Sequence, residues 1–130
     1  MKKKILLFEP DGLLRNTLRE QISLNKDFEV TTVDEFEDVK YQLKLSSFDL
    51  IIMSTDNEVY SLSSMRRFIK EAKITNIVLF IVEFAPEEAS SSEGSKEKHY
   101  FIEKPFRVQH FNKKISTIFA KVSNLNEVTR

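Results

Sequence analysis

Residues 48–54 read FDLIIMS, and the run from Leu50 to Met53 is apolar at every position. A surface strand alternates apolar with polar side chains, so an unbroken run of this length marks a strand covered on both faces. Two runs of the same kind flank it. Ile5–Phe8 (ILLF) is closed by Glu9-Pro10-Asp11-Gly12, and Ile77–Val82 (IVLFIV) is rich in β-branched residues. Helical spacing fills the intervals between them. Leu14, Leu18 and Ile22 recur every fourth residue, and Leu62, Met65, Ile69 and Ala72 lie on one stripe. Between the first of these stripes and residue 48, Phe28, Val30 and Thr32 alternate with polar neighbours as a strand. Asp34 then suits the cap of a helix that turns Phe36, Val39 and Leu43 inward. Beyond Val82, Phe101 and Ile102 form a fifth, short strand stopped by Pro105. Val108, Phe111, Ile115, Ile118 and Val122 make the longest amphipathic stripe. Strands alternating with helices require right-handed βαβ crossovers, hence an α/β fold with a parallel sheet and helices on both faces.

One segment departs from this rhythm. Residues 87–98 read EEASSSEGSKEK, with Ala89 the single apolar side chain, and such a stretch cannot bury a helical face. The fourth helix is therefore expected to be short or disordered. The pattern delimits one domain over residues 1–122, with 123–130 as a tail or the start of a linker.

The composition sets outer limits. The chain has 130 residues, 41% hydrophobic and 31% charged, with 11 Phe and no Trp, as a single soluble globular domain would. Lys plus Arg total 20 and Asp plus Glu total 20, so no global field draws in a phosphate backbone or an anionic membrane. Neither nucleic acid nor membrane is an expected partner. The absence of Cys excludes disulfides and thiolate chemistry. The opening MKKKILLF has a basic start, but its apolar run ends at Phe8, too early for the hydrophobic core of a signal peptide. These features point to the cytoplasm.

In an open parallel sheet, ligands gather at the carboxyl ends of the strands near the switch point. Here those ends carry Glu9, Pro10 and Asp11; Ser54, Thr55 and Asp56; Ile81 and Val82; and Lys104-Pro105-Phe106. The stretches FDLII at 48–52, IEKPF at 102–106 and KKILLFEPDGLLR at 3–15, in this order and spacing, resemble the receiver domain of two-component response regulators. The likeness spans residues 3–122 and implies a flavodoxin-like, doubly wound sheet of five parallel strands in the order 2-1-3-4-5. It also implies a cis Lys104–Pro105 peptide. In that family, two acids after strand one and an Asp ending strand three hold Mg²⁺, and that Asp accepts a phosphoryl group. A Ser or Thr after strand four and a Lys after strand five contact the phosphoryl oxygens.

Carried over position by position, the likeness is uneven. Ser54 stands at the phosphoacceptor position, and a neutral hydroxyl lacks the charge and nucleophilicity of a carboxylate. Glu9 keeps the first acidic position, Pro10 occupies the second, and Asp11 follows. Ile81 or Val82 falls where the Ser or Thr belongs, Phe101 holds the switch position as a ring without a hydroxyl, and Lys104 is retained.

The resemblance, read with these departures, implies an atypical, non-enzymatic pseudo-receiver in phosphorelay signalling. It lacks the phosphoacceptor and acts by phosphorylation-independent binding of another signalling protein or of itself. No cofactor is expected, Glu9 and Asp11 being weak candidates for Mg²⁺, and Lys104 is expected to pair with one of these two carboxylates. The alternative is a phosphoaccepting receiver that uses a displaced carboxylate such as Asp56. A flavodoxin-like small-molecule binder ranks last, because acids stand after strand one where an anion would sit. By the same resemblance, the binding face is strand five with the final helix, with Tyr100 and Lys114 as interface candidates and Lys113 and Lys121 on the rim.

Overall fold

A computed structural model describes residues 2–56, 59–86 and 98–128. Five strands, β1 (Lys3–Phe8), β2 (Phe28–Val33), β3 (Leu50–Ser54), β4 (Ile77–Val82) and β5 (His99–Glu103), form one parallel sheet in the order β2-β1-β3-β4-β5. Four helices are described: α1 (Gly12–Ser23), α2 (Phe36–Leu45), α3 (Leu62–Glu71) and α4 (Val108–Val128). The parallel α/β sheet expected from the alternation, in the doubly wound order implied by the resemblance, is the one found. The segment expected to hold a weak further helix, between β4 and β5, lies largely outside the described residues. The last helix runs through the stretch expected to be a tail, continuing past Val122 to Val128.

Strand parity divides the core in two. Ile5, Leu7, Leu50, Ile52, Leu79, Ile81, Tyr100 and Ile102 face α1 and α4, where they meet Leu18, Ile22, Phe111, Ile115 and Ile118. The alternate residues Leu6, Phe8, Ile51, Met53, Val78, Phe80, Val82 and Phe101 face α2 and α3, where they meet Val39, Met65 and Ile69. Every residue of β3 is buried, which is why its sequence shows no alternation. Of the inward positions read from helical spacing, Leu18, Ile22, Val39, Met65, Ile69, Phe111, Ile115 and Ile118 are buried and Leu14, Phe36, Leu43, Leu62, Val108 and Val122 are partly covered, whereas Ala72, the C-cap of α3, is exposed.

The helix starts follow local hydrogen bonding. The Asp11 side chain accepts from the Leu14 N–H at 3.0 Å to cap α1, and Ser61 accepts from Ser64 N–H at 3.2 Å to cap α3. For α2 the expected cap shifts by one residue, from Asp34 to Glu35, which makes no side-chain capping bond. Glu37 and Asp38 in its first turn supply the negative charge that the helix dipole favours.

Phe111 is fully buried, stacks on Phe106 at 5.6 Å and joins the α1–α4 side of the core. Phe111→Ala is expected to cost about 3–5 kcal/mol in urea denaturation, as large aromatic truncations in cores do. Phe84 is 82% exposed, and Phe84→Ala is expected to stay within about 0.5 kcal/mol of the parent in the same assay.

Candidate functional site

The carboxyl ends of β1, β3, β4 and β5 converge at one end of the sheet. Glu9 prolongs β1, its N–H donating to the Val33 carbonyl at 3.2 Å, and only 3% of the residue is exposed. Its Oε2 accepts from the Asp11 N–H at 3.0 Å, while the buried Oε1 has no hydrogen-bond partner. Asp11 is turned the other way, with its Oδ1 engaged on the first turn of α1. Arg15 closes the loop from above. Its Nη1 donates to the carbonyl of Glu9 at 2.9 Å and to that of Pro10 at 3.3 Å. The expected pairing of Lys104 with Glu9 or Asp11 is not formed, because the carboxylate contacts of both residues are to backbone N–H groups of their own loop.

Ser54 ends β3, buried, in register with Ile81. The next residue is the stronger structural element: Thr55 donates both its N–H and its Oγ1 to the Ile81 carbonyl, each at 2.9 Å, clamping the end of β3 to β4. Asp56 is exposed and tied to its own loop, its Oδ1 accepting from the Tyr60 N–H at 2.7 Å and its N–H donating to the Tyr60 carbonyl at 2.8 Å. Ile81 and Val82 are buried and apolar. Phe101 is buried between layers, stacked on Phe80 at 5.6 Å, with the Arg66 guanidinium 5.2 Å from its ring centroid. Lys104 is half-buried, its N–H donates to the Val82 carbonyl at 2.8 Å, and the Lys104–Pro105 peptide is cis.

The strand ends thus bring Glu9, Ser54, Val82 and Lys104 to one end of the sheet, with Asp11 and Asp56 on its loops, while Phe101 lies mid-strand on β5 beside Phe80. Two contributors escaped the sequence reading. Arg15 has a legible signal, since it lies four residues after the helix cap Asp11 and can fold back over the loop. Thr55 has none beyond its place after the strand.

Tyr100 is not a surface anchor. It is 3% exposed, because strand parity aims it with Ile102 at the α4 side of the core, and Lys121 Nζ lies 5.9 Å from its ring centroid. Lys114, on α4, is half-buried, while Lys113 and Lys121 are exposed.

A divalent cation of the Mg²⁺ type needs several oxygen ligands in octahedral array. The unpartnered Glu9 Oε1 is a fitting donor, but Pro10 and Ser54 add no charge, and one oxygen of each of the Asp11 and Asp56 carboxylates accepts from a backbone N–H group. Among the described residues no three His, Asp or Glu side chains cluster as a metal site would require.

No family model and no curated protein matches the chain. Solved structures do match. A response regulator receiver domain protein from Bacillus halodurans superposes with a TM-score of 0.72 at 19% identity, over 91% of this chain and 97% of its own. A two-component response regulator from Clostridium difficile gives 0.73 at 14% identity, over 93% and 98%. An orphan response regulator of H. pylori gives 0.67 at 21% identity, over 89% and 95%. The chain has the fold of response regulator receiver domains. Among the described residues no helix is long and apolar enough to cross a membrane.

Asp11 serves α1 as a hydrogen-bond acceptor, so its removal acts on stability. Asp11→Ala is expected to cost about 1 kcal/mol in chemical denaturation, and Asp11→Asn, which keeps the acceptor, much less.

Proposed function

We propose that this chain is an atypical, non-catalytic receiver module of two-component signalling, acting in the cytoplasm through phosphorylation-independent binding of another signalling protein. The observation that carries this reading is Ser54, a buried neutral residue at the strand end where the receiver fold places its acceptor carboxylate. Its surroundings support it. A labile acyl phosphate requires a carboxylate nucleophile and electrophilic help from a cation. The carboxylates nearest in sequence hold helix and loop termini instead, and the strand-four position that would grip a phosphoryl oxygen is apolar.

Without that chemistry, the switch position has nothing to respond to. Phe101 is packed on Phe80 beneath Arg66, so the face of β5 and α4 is held in a single state and partner binding is constitutive. Lys113 and Lys121 are exposed on α4 and supply a cationic rim for that partner.

Incubation with acetyl phosphate and Mg²⁺ tests the reading. No hydroxylamine-labile adduct is expected by intact-mass spectrometry. An adduct abolished by Asp56→Asn would instead establish the displaced-carboxylate receiver. Millimolar Mg²⁺ is expected to leave Tm unchanged relative to Na⁺ at matched ionic strength, since a ligand stabilises only as far as it binds the native state.

A further inference from the structure

Among the described residues β2 pairs with β1 alone, so its far side is a sheet edge. The direction of its backbone groups follows from the ladder. Lys3 N–H donates to the Asp27 carbonyl at 2.7 Å and Glu9 N–H to the Val33 carbonyl at 3.2 Å. In a regular strand successive residues turn their backbone groups to opposite sides, so Glu29, Thr31 and Val33 address β1 while Phe28, Val30 and Thr32 address the open edge. The Phe28 N–H is taken by the Asn25 carbonyl at 3.1 Å, leaving the Phe28 carbonyl and both groups of Val30 and Thr32 outward.

Soluble proteins guard such an edge with Lys, Pro, bulges or a covering segment. The β2 sequence FEVTTV has no Lys and no Pro, and its single charge is Glu29. Its β1 register is continuous from Lys3↔Phe28 to Phe8↔Val33, without a bulge. β-Branched residues occupy Val30 to Val33, and all but Val33 are half-buried. The edge is suited in propensity and shape to receive another strand.

We propose that this edge pairs with the β2 edge of a second copy of the chain, antiparallel, about a two-fold axis through Val30. Charge selects both the occupant and the register. Hydrogen-bonded antiparallel pairs must join outward residues, which confines central pairing to three arrangements. Pairing Phe28 with Val30 sets Glu29 against Glu29 of the other copy. Pairing Val30 with Thr32 brings Asp27, in the turn before β2, near Glu35, the N-cap of α2 in the other copy. Pairing Val30 with Val30 sets Glu29 against Thr31 and brings the exposed Lys26, in the turn before β2, near the exposed Asp34 that follows β2 in the other copy. Like charges directly opposed across strands destabilise and opposite charges stabilise, so the third arrangement is favoured. An isologous contact of this kind closes on itself as a dimer. A single added strand pair is small beside a standard interface, so the dimer forms reversibly with concentration.

The chain has no Cys, which makes single-cysteine cross-linking decisive. Val30→Cys, Thr31→Cys and Glu71→Cys proteins are oxidised with copper phenanthroline at high protein concentration, and dimer is read on non-reducing gels. Across the proposed axis the Val30 Cα atoms lie about 5.5 Å apart, within disulfide reach, whereas Thr31 faces Glu29 of the other copy. Rapid dimer formation is expected for Val30→Cys, at least tenfold faster than for Thr31→Cys or the remote Glu71→Cys. Equal rates in all three, or a faster rate at Thr31, overturn the proposal. Sedimentation of the unmodified chain is the second arm. Its mass should rise with concentration, and Thr32→Lys, which installs the missing guard, should weaken association at least tenfold with the circular dichroism unchanged. A chain monomeric at every concentration, or a Thr32→Lys protein that is folded and associates equally well, also overturns it.

Discussion

The burial of β3 on both faces is the constraint from which the rest of the molecule follows. Every side chain from Leu50 to Ser54 is covered, so helices must lie on both sides of the sheet, and that demands crossover connections and parallel strands. Once the interior strands are apolar along their whole length, polar chemistry can be placed only where they end. That is why Glu9, Ser54, Thr55 and Lys104 share one end of the sheet despite their separation in sequence. The paired bonds from Thr55 to the Ile81 carbonyl secure this end, each contributing about 1 kcal/mol as a typical intramolecular hydrogen bond does.

At that end, carboxylates have been drawn into structural work. Asp11 caps α1, Asp56 closes the turn to Tyr60, and Glu9 holds the Asp11 N–H with one oxygen. The other Glu9 oxygen is buried and unpartnered, an arrangement that costs about 1–3 kcal/mol or more, since an unsatisfied buried acceptor has lost its water. Arg15 stands over the same loop, bonded to the Glu9 and Pro10 carbonyls. A loop organised by caps and a guanidinium holds its shape through the chain's own groups.

The sequence made legible whatever depends on periodicity. The unbroken runs at Ile5–Phe8, Leu50–Met53 and Ile77–Val82 are the interior strands, and most inward residues of the helices fall where the spacing put them, Ala72 at the exposed end of α3 being the exception. What was lost depends on single residues and on angles. The start of α2 at Glu35 rather than Asp34 is a one-residue shift that propensity does not resolve. Tyr100, an interface candidate by resemblance, sits on β5 at the edge of the sheet. An edge strand is open along its backbone, however, and its side chains still project up and down into helices. The long stripe of Phe111, Ile115 and Ile118 on α4 is what Tyr100 and Ile102 meet. Lys104 lay within reach of two acids in sequence terms, yet the turn aims those acids at backbone N–H groups, a direction that residue spacing does not encode.

The same distinction between backbone and side-chain exposure gives the two edges of the sheet different capacities. At β5 the adjoining surface is made by α4, whose exposed lysines present charge rather than backbone. At β2 the available groups are the N–H and C=O of Val30 and Thr32, which recognise any strand of matching register and gain specificity only from the charges beside them. The two edges stand four strand spacings apart, ~19 Å at the usual interstrand distance. Contacts at one edge therefore leave the other sterically free. On the proposed reading, a partner on the α4 side and a second copy at β2 do not compete for the same surface.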